Sequence, residues 1–131
     1  VIAFDTNVLL RVLVDDDPSQ AIAARALVER CLDNDEACFL SDVVIAETVW
    51  GLEEVYALPR REISATLRRA ASARPFVFES RSRVLAALDR FDAGKADFSD
   101  YLLLRRGLDE GARALYSFDR KLQREPEVRE P

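Results

Sequence analysis

Four apolar residues, Val1-Ile2-Ala3-Phe4, run without polar alternation into Asp5-Thr6-Asn7. Such a run suits a strand buried on both faces, as in a parallel sheet covered by helices. Asp5 then stands at the strand's carboxyl end. In open α/β sheets ligands bind at that edge, where the crevice opens and helix N-termini point into it. A capping role for Asp5 or Asn7, at a helix beginning near Val8, accounts for the same residues. The pattern recurs: Ala114-Leu115-Tyr116-Ser117-Phe118 reads as a second strand-like segment, and it delivers Asp119 just before a helical turn. A right-handed parallel α/β arrangement gathers such strand ends at one edge.

Between these segments the chain alternates helices and short strands. Residues 7 to about 14 read as a short helix ended by Asp15-Asp16-Asp17-Pro18, with Asp17 as N-cap and Pro18 in the first helical position. A helix over residues 19 to 34 turns Ala24, Leu27, Val28 and Cys31 to one side, and Ala37-Cys38-Phe39-Leu40 is a strand. The helix expected over residues 42 to 58 has one apolar stripe of Ile45, Val49, Leu52 and Tyr56, and a second side carrying Val43, Trp50 and Leu58. One stripe serves the core, so another chain is expected to cover the second. Further helices are expected over residues 60 to 73, 80 to 91 and from about residue 97 to Gly107, with Phe76-Val77-Phe78 as a strand. Residues from about 123 to 131 read as a polar tail. No internal repeat or linker interrupts the 131 residues, which are expected to form a single domain.

The chain has no His, which removes Ser-His triads, imidazole bases and His metal sites together. Cys31 and Cys38 then lack a zinc pattern and are expected as buried or half-buried free thiols. With 24 acidic and 19 basic residues the net charge is −5, which argues against strong sequence-independent binding to nucleic acid. A nucleic-acid substrate held by a local basic rim stays open. No apolar run approaches the ~18 residues of a membrane span, and a cytoplasmic location is the expectation.

Catalysis is left to carboxylates, hydroxyls, Lys or the thiols. Besides Asp5 and Asp119, Glu47 lies in the second turn of its helix between Val43 and Trp50, where it either points to solvent or is held by a cation. Asp97 and Asp100 are three residues apart and share a helix face. As N-cap and N3 they also resemble a capping box, with the Asp97 oxygen occupied by backbone N–H groups. Two carboxylates ~5 Å apart repel by roughly 3 kcal/mol at an effective dielectric of ~20. Such a cluster stays partly protonated or binds a hard cation, and oxygen-only ligands favour Mg²⁺ or Mn²⁺.

Four segments, in order, carry a resemblance: Ile2-Ala3-Phe4-Asp5-Thr6-Asn7-Val8-Leu9, Val44-Ile45-Ala46-Glu47, Ala96-Asp97-Phe98-Ser99-Asp100 and Ser117-Phe118-Asp119. Together they resemble the PIN-domain nucleases and, within them, the VapC-type toxins of toxin-antitoxin pairs. The resemblance implies a PIN-like three-layer α/β fold, with a central, mostly parallel sheet of four to five short strands flanked by helices. It implies metal-dependent RNA hydrolysis with Asp5, Glu47, Asp100 and Asp119 as catalytic residues, and Asp5, Asp97, Asp100 and Asp119 around Mg²⁺ or Mn²⁺. Thr6, Asn7 and Ser117 are then the groups that hold those acids, Ser117 keeping the hydroxyl where the family often has Thr. It also implies a homodimer and a cognate antitoxin. Arg11, Arg105, Arg106, Arg120 and Lys121 lie near the acids in sequence and are candidates for gripping phosphate. Two alternatives fit less well. A haloacid-dehalogenase-like phosphatase with Asp5 as nucleophile needs a second Asp where Asn7 stands, and a non-catalytic binding module is expected to lack one of the acids.

Overall fold

A computed structural model of the chain describes residues 1–14 and 17–131. Asp15 and Asp16 of the expected acidic turn lie outside the described residues, whereas Asp17 caps the next helix, its carboxylate accepting the Gln20 N–H at 3.1 Å. The chain divides into two compact units, Val1–Arg81 and Ser82–Pro131.

In the first unit three strands, β1 (Ile2–Ala3), β2 (Cys38–Leu40) and β3 (Phe76–Phe78), form a parallel sheet in that order. Ile2 pairs with Cys38, and Cys38 with Phe76. Parallel neighbours need a crossover, and each crossover here contains two helices. Helices α1 (Thr6–Leu13) and α2 (Pro18–Asp33) join β1 to β2; α3 (Asp42–Glu54) and α4 (Arg60–Ala71) join β2 to β3. Of the stripe expected on α3, Ile45, Val49 and Leu52 are buried, whereas Tyr56 lies beyond the helix end and is half-buried. Helix α3 stops at Glu54 rather than near residue 58, before Ala57 enters the left-handed region at φ 52°. Gly51 gives α1 its close approach to α3, because a Cβ there would meet the Leu10 side chain at 3.2 Å. The opening strand departs from expectation. It sits at an edge of this sheet, so Phe4 is buried while Ile2 is half-buried and Ala3 exposed.

Both thiols are buried and free, as expected. Burial, and next a hydrogen bond with Cys31, push the Cys38 thiol up to about 12.

The second unit holds α5 (Arg81–Ala93), α6 (Phe98–Asp109), β4 (Leu115–Tyr116), a 3₁₀ turn (Leu122–Arg124) and β5 (Val128–Arg129). Phe91 of α5 meets Phe98 of α6 edge to face, with ring centroids 5.8 Å apart. Residues 123–131, expected as a polar tail, are instead built into this unit. β5 pairs in parallel with β4, Leu122 and Val128 are buried, and Arg90 binds Glu127 at 2.8 and 3.0 Å and Glu125 at 3.1 Å. The α/β class and the five short parallel strands agree with expectation, but the strands are hydrogen-bonded as a sheet of three and a pair. Among the described residues no helix is long and apolar enough to cross a membrane.

Candidate active site

In the first unit, β1 ends and α1 begins at Asp5, whose Oδ1 accepts the Val8 N–H at 3.0 Å. Capping uses one carboxylate oxygen and leaves Oδ2, so the capping and functional readings of Asp5 are compatible. The next residue ties this corner to α3: the Thr6 hydroxyl donates to Glu47 Oε1 at 3.0 Å. Glu47 is exposed, as its helix alone suggests, but it is held by this bond rather than free in solvent. Asn7 is exposed and lines a cavity with Asp5, Arg11 and Gln20.

In the second unit, Asp119 repeats the Asp5 arrangement. Its Oδ1 accepts the Leu122 N–H at 2.9 Å, while its own N–H donates to Ser117 Oγ at 3.0 Å. Gln123 fixes the same turn by donating to the Ser117 carbonyl at 2.7 Å, a role with no signal in the sequence. Ahead of α6, the Ala96 N–H donates to the buried Tyr101 hydroxyl at 3.1 Å, which pins the residue before Asp97. Gly94 makes room for that hydroxyl, since a Cβ there would lie 2.0 Å from it.

Asp97 is the N-cap of α6 by its backbone, yet its side chain makes no capping hydrogen bond. The expectation that backbone N–H groups occupy its oxygen is therefore wrong. The Asp97 backbone lies near the Asp100 carboxyl and favours its charged form. Even so, the Asp100 carboxyl is raised above the usual carboxylate range. Burial is the main cause, followed by the charges of Asp119 and then Asp97, and the Asp97 backbone only partly opposes them. Three of the expected acids thus act on one another within this unit.

The basic candidates differ in what their side chains reach. Arg11 donates to Gln20 Oε1 at 2.7 Å and to the Tyr56 hydroxyl at 3.0 Å. Arg105 is paired with Asp109 at 2.9 Å, and Arg83 reaches the same carboxylate at 2.9 Å. Arg106, Arg120 and Lys121 are exposed, the last two directly after Asp119.

Every candidate ligand offers carboxylate or hydroxyl oxygen, the donor set of Mg²⁺ and Mn²⁺. Among the described residues no three acids converge closely enough to enclose an ion unaided. Mg²⁺ does not require such a cage, because it keeps several waters and takes one or two carboxylates. Burial first and then the charges of Asp119 and Asp97 raise Asp100, and a bound cation offsets both, so the residues fit the group.

Parallel strands that end in acids, with no His in the chain and carboxylate and hydroxyl oxygens as candidate donors, describe an α/β protein whose candidate site suits a hard divalent cation. More narrowly, the chain belongs to the PIN domain family, whose model matches residues 2–127. No curated protein matches it. PIN domains are nuclease folds, generally hydrolases that use divalent metal ions.

Proposed function

We propose that the chain is a divalent-metal-dependent endoribonuclease and the toxin of a type II toxin-antitoxin pair of the VapC type. The observation that carries the nuclease reading is the acid cluster of the second unit, where burial first, and then the charges of Asp119 and Asp97, hold the Asp100 carboxyl up. Asp5, Asp97, Asp100 and Asp119 are the residues that would hold Mg²⁺ or Mn²⁺. A bound ion of this kind supplies a water of lowered pKa and offsets charge on the phosphoryl and leaving oxygens.

The protein's own groups then do the rest. With Oε1 of Glu47 held by the Thr6 hydroxyl, Oε2 is left to orient the attacking water and accept its proton. Ser117 holds the turn that presents Asp119, and Val8 holds Asp5 through its N–H. Arg120 and Lys121, exposed directly after Asp119, would meet phosphate. A homodimer and a cognate antitoxin belong to the same reading, as does a cytoplasmic location. The support for a partner chain is the second side of α3, where Val43 and Trp50 are 66% and 64% exposed. Fluorescence quenching tests it: Trp50 should become shielded in the dimer or the antitoxin complex, and an unshielded Trp50 in both would contradict it.

The catalytic reading is tested by incubating the purified chain with labelled RNA and Mg²⁺ or Mn²⁺, with and without chelator, beside Asp5→Asn. Cleavage should require the ion and be lost in the variant. Cleavage that persists in chelator, or in Asp5→Asn at the wild-type rate, would contradict it.

A further inference from the structure

The cavity between α1 and α2 touches the proposed chemistry only at one corner. Asp5 stands there; Asn7, Arg11 and Gln20 complete a polar rim, and Ala23 and Leu27 belong to an aliphatic floor. Its volume is about 340 Å³. That is the lower end of the ~300–1,000 Å³ typical of small-molecule sites, the size class of one nucleoside rather than of several.

We propose that this cavity is a base subsite, which takes one unpaired nucleobase from the nucleotide next to the scissile phosphate. The proposal rests on the ribonuclease reading for the class of substrate. Location comes first in its favour. The cavity includes Asp5, so whatever fills it lies within one nucleotide of a phosphate handled at the end of β1.

The rim chemistry is also fixed. A guanidinium has only donors, so the Gln20 atom facing Arg11 Nε at 2.7 Å is the carboxamide oxygen. The Gln20 NH₂ group is then what remains for a ligand, a donor-only group matched by a ring nitrogen or carbonyl on a base edge. Bonds to Gln20 and Tyr56 hold the Arg11 guanidinium in one orientation before any ligand arrives. Unpaired bases are bound through their flat faces on apolar or guanidinium surfaces and through hydrogen bonds to their edges. An aliphatic floor beside an oriented Arg and a donor amide offers both. An aliphatic side chain from a protein partner would cover the floor but make no use of the Gln20 donors or the oriented Arg11 guanidinium.

The test uses the full ¹⁵N-labelled chain in chelator, titrated by NMR with each nucleoside 5′-monophosphate and with ribose 5-phosphate as control. At least one nucleotide should shift the Gln20 side-chain NH₂ and the Ala23 and Leu27 amides saturably, and ribose phosphate should not. Ala23→Leu, at an exposed position on the floor, should abolish these shifts while keeping the wild-type melting temperature. In Mn²⁺, cleavage of a randomised RNA pool should show a base preference at one position flanking the cut. Gln20→Ala should flatten that preference and lower kcat/KM by roughly tenfold.

If no RNA is cleaved yet nucleotides bind, the ribonuclease reading fails and the cavity stands as a nucleobase site with no cut beside it. Equal shifts with ribose phosphate would overturn the subsite alone. So would unchanged base preference in both variants, or shifts with N-acetylleucinamide and none with any nucleotide.

Discussion

The two acid corners of this protein are built on opposite principles. At the end of β1, Asp5 and Glu47 are held by neutral donors, the Val8 N–H and the Thr6 hydroxyl. In the second unit Asp97, Asp100 and Asp119 press on one another, and Asp100 is partly buried in their field. Hydrogen bonds to neutral donors orient a carboxylate at little cost, whereas uncompensated like charges are favourable only once a cation arrives. The first corner is thus suited to positioning a reacting group, and the second to drawing in the ion.

Asp100→Asn should break this contrast most severely. It removes the ligand at the centre of the crowding, so metal-dependent RNA cleavage should fall beyond the ~10–100-fold typical of losing a group that merely supports a ligand. Thermal stability in metal-free buffer should hold or rise, because one repelling charge is gone. Asp97→Asn should cost less activity, since Asp97 is exposed and its charge is the weaker of the two acting on Asp100. Single-turnover cleavage of both variants checks the order, and an active Asp100→Asn beside a dead Asp97→Asn would exchange their roles.

Next in size is the support beneath the crowded corner. Tyr101→Phe strands the buried Ala96 N–H, at a cost of about 1–3 kcal/mol. Urea unfolding should show this as a lower midpoint, and an unchanged midpoint would mean that the segment ahead of Asp97 is held by other contacts. Thr6→Val probes the orienting corner instead. It should lower the cleavage rate by roughly tenfold through a misplaced Glu47, with little change in melting temperature. A loss of stability matching the loss of activity would make the Thr6 bond structural.

The smallest effect separates crowded acids from paired ones within the second unit. Hydrogen bonding to Arg90 is the main reason that Glu127 sits below the usual carboxylate range. Its contribution to stability is therefore present above the unfolded-state value and is lost as pH falls through the lower folded-state value. Acid titration should unfold the wild type more steeply in that window than Glu127→Gln. Identical acid limbs would show that the closing strand does not depend on this pair.

Much of this was legible from residue order. The run from Ile2 to Asp5 announced a strand that ends in an acid, and the α3 stripe announced its buried face, because both patterns are local. Three features were not legible, each for a physical reason. Val128-Arg129 becomes a strand only through pairing with Leu115-Tyr116, and a two-residue strand after Pro126 carries no periodicity of its own. Asp97 begins a helix yet its side chain makes no capping bond, since the N-cap backbone conformation does not by itself fix where the carboxylate points. The Thr6 bond to Glu47 spans 41 positions and depends on how α3 packs against α1.

The claim that binding energy for the ion resides in the crowded corner is tested most directly by calorimetric titration of Mn²⁺ into wild type, Thr6→Val and the double variant Asp100→Asn/Asp119→Asn. Wild type and Thr6→Val should bind with closely similar affinity, and the double variant should show no saturable binding. Full Mn²⁺ affinity in the double variant would contradict it.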